Sequence, residues 1–551
     1  MPHRSPPARA RRALTNAAAL LAVAVLAAAC GGGGGSANAG PLPSPDTRGV
    51  AAADPGSALP PSWKNGALME IYVRGYQDSD GDGIGDLKGL ISRLDYLKDL
   101  GITGLWLMPV TDSQDHDHGY AVTDYRGIER DYGSLADFDE LLRQAHARGI
   151  GIVIDYVINH SAYDNPLFVN SRAAADNPFR GWYVWQNSVP SGWSIYGNNP
   201  WYGTDNGAYF AGFWSQMPDF NLRNPAVLAY HADSLRFWLN RGVDGFRFDA
   251  VGNLVENGPA AWENQPENDT VMNGVRQLVA GYANRYMVCE APAAPQRYAA
   301  NDTCGGSFAF GQQGNVIGAS AGDTASVADT ADYFNTAPAG MASFLSNHDS
   351  FAGDRLWDQM IGNTAEYRLA AATNLLQGST PFIYYGEEIG MANGASGLSG
   401  DPRLRTPMSW TAGNTGTGGF TSGRPFRAFS ANVAMNNVAA QQADPSSLLA
   451  FYKTLIALRK SRPSLMTGSY HAPRPSGAVM SFTRSLGAEK TLVVFNYGRS
   501  AASASVAGLP ANATLQPLWP AGGTATAADA GGNAGIPLAR QSFAVFAVNP
   551  P

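Results

Sequence analysis

Three acidic residues each follow an apolar, strand-like run of this chain. They are Asp249 after Gly-Phe-Arg-Phe, Glu290 after Tyr-Met-Val-Cys, and Asp349 after Phe-Leu-Ser-Asn-His. A carboxylate at the carboxyl end of a barrel strand lies where barrel enzymes carry out their chemistry. Three such groups can supply a nucleophile, a proton donor and a substrate-binding acid for the cleavage of a glycosidic bond.

The order of apolar runs and amphipathic segments predicts the fold of the central part of the chain. Strands that read as continuous apolar runs, separated by helices, indicate a parallel sheet covered on both faces, and about eight such units form a (β/α)8 barrel. One unit, near Ser307–Phe310, is weakly marked. The helical segments include Leu135–Arg148 and Val227–Arg241. The predicted strands are Leu68–Val73, Gly104–Met108, Gly151–Val157, Val243–Phe248, Tyr286–Cys289, Ser343–Leu345 and Pro381–Tyr385.

Two further regions depart from this rhythm. Residues 161–216 are rich in Asn, Gly, Trp, Tyr and Pro with no clear helix, which predicts a loop subdomain after the third strand. Beyond residue 462 the strand candidates Ala478–Thr483, Lys490–Tyr497 and Ser542–Val548 predict a C-terminal antiparallel β domain. We therefore expect an α/β protein with a catalytic barrel over 63–462 and a β-sandwich over 463–551.

The N-terminus is typical of an export signal. Basic residues precede an apolar stretch, Ala17–Ala29, that is too short to span a bilayer stably. This stretch runs into Cys30, as in a bacterial lipobox, although Leu26 stands four places before Cys30 instead of three. Residues 1–30 thus predict a lipoprotein signal peptide with Cys30 lipidated, and 31–62 a flexible linker. The predicted location is the cell envelope, membrane-anchored; ordinary cleavage, giving a secreted or periplasmic protein, is the alternative.

Charge and cysteine content limit the partners and the chemistry. The formal net charge of -7 argues against nucleic acid, which requires a basic surface. Aromatic residues make up 11 % of the chain, and flat rings suit both sugar binding and the core of a large barrel. Besides Cys30 only Cys289 and Cys304 occur. An exported protein can oxidise this pair, yet a buried free cysteine in a strand is also common.

Five segments match known signatures in family order. The chain resembles the α-amylase family of retaining glycoside hydrolases, glycoside hydrolase family 13, from about residue 63 to its end. One segment, Met217–Asn221, is close to the MPDLN motif of members intermediate between oligo-1,6-glucosidases and neopullulanases. The other four are Asp155–His160, Gly245–Ala250, Glu290 at its strand end, and Phe344–Asp349.

The resemblance implies a role for each residue of the site. Asp249 would be the nucleophile, Glu290 the general acid and base, and Asp349 the acid that holds the sugar hydroxyls. Arg247 would keep Asp249 ionised by charge pairing, whereas burial and the other acids would raise the pKa of Glu290. The remaining substrate contacts implied are His160 and His348 as hydrogen-bonding groups, Tyr120 as a stacking ring, and Asp117 as described below.

The acidic loop Asp78–Asp86 is a candidate metal site. Acids at alternate positions of a Gly-rich turn direct hard oxygen atoms towards one point, which suits Ca²⁺. The twelfth position from Asp78 is Gly89, not the Glu of an EF-hand. In family relatives the corresponding loop binds Ca²⁺ through the equivalents of Asp78, Asp80, Asp82, the Ile84 carbonyl and Asp86. A solvated acidic turn is the alternative.

Two departures bear on specificity. Gly252 and Asn253 stand where many α-amylases carry Lys and His, which puts a second Ca²⁺ and the leaving-group side in doubt. Asp117 lies where exo-acting α-glucosidase relatives place an acid that binds the non-reducing-end glucose. The MPDLN-type motif, by contrast, includes endo-acting amylases. We expect a monomeric α-amylase acting on α-1,4-glucans such as starch and maltooligosaccharides, with an exo-glucosidase, an oligo-1,6-glucosidase or a transglycosylase as alternatives, and an inactive glucan-binding protein as the least favoured.

Overall fold

The computed structural model describes residues 41–378, 380–395, 397–413 and 416–551. The predicted signal peptide and Cys30 lie outside this range. Within it, no helix combines the length and apolar character needed to cross a membrane.

Eight parallel strands close into a barrel, as the sequence predicts. Neighbours follow the chain order, and β1 pairs with both β2 and β8. The strands are β1 Leu68–Ile71, β2 Gly104–Leu107, β3 Gly151–Tyr156, β4 Gly245–Phe248, β5 Tyr286–Cys289, β6 Ser307–Phe308, β7 Met341–Ser343 and β8 Thr380–Tyr384. Large rings such as Trp106, Phe308 and Phe382 fill the interior in one buried cluster. The barrel is therefore a packed core whose free ends carry the site.

Helices cover the outside of the barrel. The helix Leu135–His146 begins at a capping box, in which Ser134 accepts a hydrogen bond from the Asp137 amide, and its buried face packs on the sheet. The other helices are Val73–Tyr76, Leu87–Ser92, Leu94–Leu100, Pro166–Ala173, Pro225–Arg241, Pro266–Ala280, Pro295–Tyr298, Gln312–Ser320, Thr324–Thr336, Leu356–Gln359, Thr364–Gln377, Val438–Gln442, Leu448–Ser461 and Pro463–Thr467. Short 3₁₀ turns occupy Trp63–Asn65, Arg180–Trp182, Val251–Asn253, Ser350–Ala352, Glu387–Ile389 and Asp401–Arg403.

The loop domain after β3 contains more regular structure than predicted. Its strands Trp185–Gln186, Trp201–Thr204 and Gly207–Phe210 form a three-stranded antiparallel sheet. The expectation of no helix over 161–216 is wrong, because Pro166–Ala173 is helical. Pro166 occupies the first turn and Asn165 caps it by accepting from the Leu167 amide, which is a standard helix start.

The C-terminal domain consists of two antiparallel sheets. The larger sheet has the order β9-β10-β11-β16-β13-β14, and β12 pairs with β15. These strands are β9 Ser469–His471, β10 Val479–Leu486, β11 Glu489–Asn496, β12 Ala502–Val506, β13 Thr514–Trp519, β14 Thr526–Ala527, β15 Ala534–Leu538 and β16 Ser542–Asn549. Leu492 and Val494 of β11 pack with Ala504 and Ile536 of the smaller sheet in one buried cluster.

Residues 41–62 differ from the free tether that their composition predicts. This segment runs along the barrel, where the Val50 amide donates to Asp233 Oδ1 at 3.0 Å. Further along, Arg285 Nη2 donates to the Gly56 carbonyl at 2.8 Å and Asn284 Nδ2 to the Leu59 carbonyl at 3.0 Å. These contacts use the backbone of the segment, so a composition rich in Pro and Ala does not prevent its attachment.

A disulfide joins Cys289, the last residue of β5, to Cys304, which lies shortly before β6. The sequence left this pairing open. The bond closes a short loop immediately beside Glu290, and both cysteines are buried.

Candidate active site

The structure brings the predicted acids together around one buried arginine. Arg247, on β4, contacts Asp249 Oδ1 through Nη1 at 2.7 Å and Glu290 Oε2 through Nη2 at 2.8 Å. Nη1 also lies 2.8 Å from Asp155 Oδ1 on β3. One guanidinium therefore serves three carboxyl groups from three neighbouring strands, and it fixes their positions relative to one another.

Burial and Arg247 act in opposite directions on the two strand-end acids. Burial raises the pKa of Asp249 to about 6, and Arg247 limits the rise. Burial likewise raises the pKa of Glu290 to about 7, Arg247 opposes this, and the Asp249 carboxylate adds to it. The pKa of Asp249 is therefore not lowered overall, as charge pairing alone would suggest. A pKa raised by burial is what an acid that must donate a proton near neutrality requires, as expected of Glu290.

Asp349 lies six residues beyond the end of β7 and not directly at a strand end. The strand ends at Ser343, earlier than the predicted Leu345. Arg405 Nη2 contacts Asp349 Oδ1 at 3.0 Å, and His348 Nε2 lies 3.2 Å from its Oδ2. Burial raises the pKa of Asp349 to about 7, while Arg405 opposes the rise and Glu290 adds to it.

His348 is held from both sides. Its Nδ1 lies 2.5 Å from Glu70 Oε1 on β1, and its Nε2 lies 2.7 Å from the Tyr120 hydroxyl. Burial and the charges of Arg405 and Arg247 keep the pKa of His348 well below its usual range, so the ring is neutral. Burial, together with the Asp349 carboxylate, raises the pKa of Glu70 well above its usual range. A protonated Glu70 would donate to Nδ1 and leave the ring proton on Nε2, facing the site.

Two further predicted sugar contacts, Tyr120 and His160, lie near the same acids. The Tyr120 ring stacks on His348 with centroids 5.6 Å apart, and its hydroxyl donates to Asp155 at 3.0 Å. His160, after β3, is buried, and its Nε2 has no hydrogen-bond partner in the described part of the chain. Burial lowers the pKa of His160 to about 3, so its ring is neutral and can bond a sugar hydroxyl.

Asp117 forms a fixed ion pair close to Asp349. Arg427 Nη2 contacts Asp117 Oδ2 at 2.8 Å, and the Tyr72 hydroxyl also donates to this carboxylate. Arg427 Nη1 donates to the Arg405 carbonyl at 2.8 Å, and Arg405 in turn holds Asp349. Burial raises the pKa of Asp117, but the Arg427 charge lowers it, and the pKa is lowered overall.

Five residues of this arrangement were not identified as site residues from the sequence. Asp155 begins the family segment Asp155–His160. Glu70 could have been recognised as the single charged residue of the apolar strand Leu68–Ile71. The others, Tyr72, Arg405 and Arg427, are distant in sequence from their partners.

The acidic loop is only partly arranged as a metal site. Carboxylate oxygens of Asp78, Asp80 and Asp86 lie within 4.8 Å of one another. Asp82 is not part of this group, and its Oδ1 accepts from the Ile84 amide at 2.7 Å. The Ile84 carbonyl stays a prediction.

The turn itself is closely packed. Gly83 has φ of +93°, and a Cβ there would lie 1.9 Å from the Arg424 carbonyl oxygen, so only glycine fits. Three converging oxygens on a preformed turn suit a hard divalent cation.

Three buried acids lie around one arginine at the end of this barrel, beside neutral histidines and a tyrosine. This arrangement is typical of the active site of a glycoside hydrolase. Residues 70–468 match the family model described as the α-amylase catalytic domain. The chain therefore belongs to the α-amylase family, glycoside hydrolase family 13, which acts on α-glucosidic bonds.

Several relatives are similar over most of the chain. An oligo-1,6-glucosidase of Parageobacillus thermoglucosidasius is 30% identical, covering 79% of this chain and 90% of that protein. Alpha-amylase 3 of Dictyoglomus thermophilum is 32% identical, covering 80% of this chain and 86% of that protein. Among solved structures, the α-glucosyl transfer enzyme XgtA has a TM-score of 0.76 at 27% identity, covering 89% of this chain and all of that one.

Proposed function

We propose that this protein is an exo-acting α-glucosidase that releases glucose from the non-reducing ends of short α-glucans by a retaining mechanism. This departs from the endo-acting α-amylase that the sequence favoured and adopts its stated alternative. The observation that carries the proposal is the Asp117–Arg427 ion pair beside Asp349.

The ion pair suits a terminal sugar for a geometric reason. Asp349 would hold the hydroxyls of the glucose whose bond is cleaved. Arg405 contacts both Asp349 and Arg427, so it links the Asp117–Arg427 pair to Asp349. In this position Asp117 can accept, and Arg427 can donate, hydrogen bonds with the free hydroxyls of a terminal glucose. A chain that continued past this glucose would have to break the pair, in which the Arg427 side chain is largely buried and the Asp117 side chain is partly exposed. The similarity to an oligo-1,6-glucosidase is in keeping with this reading.

The chemistry uses two carboxyl groups in turn. The Asp249 carboxylate attacks the anomeric carbon while Glu290 donates its proton to the departing glycosidic oxygen, so that a covalent glucosyl-enzyme and a shortened sugar form. Glu290, now ionised, takes a proton from water, and the water oxygen displaces Asp249 from the anomeric carbon. Arg247 holds both carboxyl groups throughout. Asp249→Asn and Glu290→Gln should abolish turnover and leave the melting temperature close to wild type.

Ca²⁺ is proposed for the acidic loop on the three converging carboxylates. Asp78, Asp80 and Asp86 would hold it and the Ile84 carbonyl would complete the set. The ion would brace the turn after β1, and no step of the reaction passes through it.

The test is a time course of products from maltoheptaose, with a second substrate whose non-reducing end is blocked by an ethylidene group. The proposal predicts glucose as the first product and no cleavage of the blocked substrate. Asp117→Ala should lose most activity on maltoheptaose, and Asp164→Ala, which removes an exposed acid of the loop domain, should not. Early mid-length products and cleavage of the blocked substrate would instead establish the α-amylase, the second candidate that the Dictyoglomus relative supports.

A further inference from the structure

A short β-hairpin after β2 brings one imidazole and two carboxyl groups to the same point. Its strands, Asp112–Ser113 and Val122–Asp124, pair antiparallel. Asp112 begins the hairpin, His116 lies between its two strands, and Glu129 follows shortly after its end. One ligand atom from each of these three side chains lies within 4.8 Å of the other two. We call Asp112, His116 and Glu129 the hairpin triad.

Hydrogen bonds fix the orientation of both carboxylates. Glu129 Oε2 accepts from the amide and from the hydroxyl of Ser113, each at 3.0 Å, and its Oε1 lies 2.8 Å from His116 Nδ1. Asp112 Oδ2 accepts from the Thr123 hydroxyl at 2.7 Å. Supporting contacts of this kind orient the ligands of protein metal sites.

The buried acid of the hairpin triad has no basic partner except the histidine. The Glu129 side chain is 3% exposed. Within the part of the chain that the structure describes, no Lys or Arg nitrogen lies within 4.0 Å of the Glu129 or the Asp112 carboxylate. The acids of the active site differ in this respect, because they surround Arg247. Buried charges in proteins are either paired or bound to a metal, and here a cation would compensate two neighbouring carboxylates.

A cavity gives an ion access to the hairpin triad. Its volume is about 600 Å³, and Asp112 and His116 line it together with two further acids, Asp124 and Asp164. Arg130 is the one Lys or Arg among the described residues that line it. The acidic side chains therefore outnumber this base, which favours the entry of a cation. A cavity of this size also has room for water as an additional ligand.

The donor atoms of the hairpin triad indicate the class of metal. An imidazole nitrogen suits Zn²⁺ and other transition metals, whereas Ca²⁺ takes oxygen ligands. Three protein ligands of the imidazole and carboxylate type, with a further position for water, form an open Zn²⁺ site. The acidic loop has a different donor set, since its converging atoms are all carboxylate oxygens.

We propose that Asp112, His116 and Glu129 bind a divalent transition-metal ion, for which Zn²⁺ is the best match. The ion would join the start of the hairpin to Glu129 behind it. Asp117 and Tyr120 lie on the same hairpin, so the ion would brace the segment that carries both. This site uses none of the residues assigned to the sugar, and it is independent of whether the enzyme is exo- or endo-acting.

The test measures Zn²⁺ binding to the purified protein by titration calorimetry, with Ca²⁺ in excess throughout so that the acidic loop is saturated. Wild type should bind a single Zn²⁺ per chain. The main variant is His116→Asn, because Asn tolerates the left-handed backbone of residue 116, whose φ is +47°, and can still donate to Glu129. His471→Ala is the control, since it removes an exposed histidine of the C-terminal domain.

His116→Asn should weaken Zn²⁺ binding about 100-fold, the upper end of what the loss of a supporting contact costs a metal site. Asp112→Asn, a second variant at a partly exposed side chain, should weaken it to a similar extent. Adding Zn²⁺ should raise the melting temperature of wild type and of His471→Ala, and leave that of His116→Asn unchanged.

Two results would overturn the proposal. One is the absence of saturable Zn²⁺ binding to wild type, and the other is equal affinity in wild type and in both triad variants. A loss of binding in His471→Ala as large as that in His116→Asn would also overturn it, because it would show binding to surface histidines. None of these results bears on the proposed glucosidase activity, which the maltoheptaose time course tests separately.

Discussion

The Cys289–Cys304 disulfide gives a prediction whose size follows from the structure. The cysteines are 15 residues apart, and a crosslink closing a loop of about 15 residues removes about 3 kcal/mol of unfolded-state entropy. Replacing both cysteines by alanine should lower the free energy of unfolding by this amount. Alanine is chosen because both side chains are buried and serine would place an unpaired hydroxyl there.

The corresponding change in melting temperature is small but measurable. A barrel of about 400 residues unfolds with an entropy of about 0.8 kcal/mol/K, so the double variant should melt ~4 °C below wild type. The assay is a calorimetric melt of both proteins with and without a thiol reductant. Reductant should move wild type to the temperature of the variant and leave the variant unchanged.

Catalysis should respond differently from stability. Arg247 and the Ala250 amide still hold Glu290 in the reduced protein, so kcat well below the melting temperature should stay at the wild-type level. A variant that melts with wild type would refute the loop-entropy argument. A fall of about 10 °C or more would show that the crosslink supports native packing around β5 in addition.

Three further predictions concern the site and the acidic loop. The active form needs Asp249 ionised and Glu290 protonated, so kcat/KM should fall below a pH of about 6 and above about 7; a profile flat from about pH 5 to about 8 would contradict this assignment. The wild-type protein should melt at a higher temperature in excess Ca²⁺ than in excess chelator, because a ligand that binds only the folded state stabilises it. Asp78→Asn should abolish this difference. Identical melting temperatures of wild type in the two conditions would refute the proposed Ca²⁺ site. Glu70→Gln can still donate to His348 Nδ1 and should keep most of the wild-type kcat/KM. Glu70→Leu cannot donate, and it should lower kcat/KM through both a raised KM and a lower kcat. Equal kcat/KM values for the two variants would rule out a positioning role for Glu70.

The barrel could be predicted because its signals are local. Continuous apolar runs mark strands buried on both faces, and β5 was predicted with its observed bounds, Tyr286–Cys289. β7 was displaced, observed at Met341–Ser343 and predicted at Ser343–Leu345, because Phe344 and Leu345 continue the apolar run after the strand has ended. Burial alone does not distinguish a strand from the buried loop that follows it.

The loop domain shows where composition misleads. Its Asn, Gly and aromatic residues indicate irregular structure, and they obscured the start signal Asn165-Pro166 of a real helix. The segment 41–62 misleads in the same way, since Pro and Ala are typical of linkers. Its attachment uses backbone groups bonded to Asp233, Asn284 and Arg285, and a composition cannot reveal which backbone groups find partners.

The acids that surround Arg247 could be located from the sequence, whereas the Asp117–Arg427 pair could not, for one physical reason. Asp249 and Glu290 each follow a barrel strand directly, and the barrel brings strand ends together wherever the fold forms, so both acids meet at Arg247 without help from distant loops. The role of Asp117 depends on its ion-pair partner, Arg427, which lies 310 residues away on a loop after β8. On the proposed function, an acid held in this ion pair binds a terminal glucose and hinders a chain that continues past it. The proposed exo action therefore depends on a tertiary contact between two residues that are far apart in the sequence, and no local motif can encode such a contact.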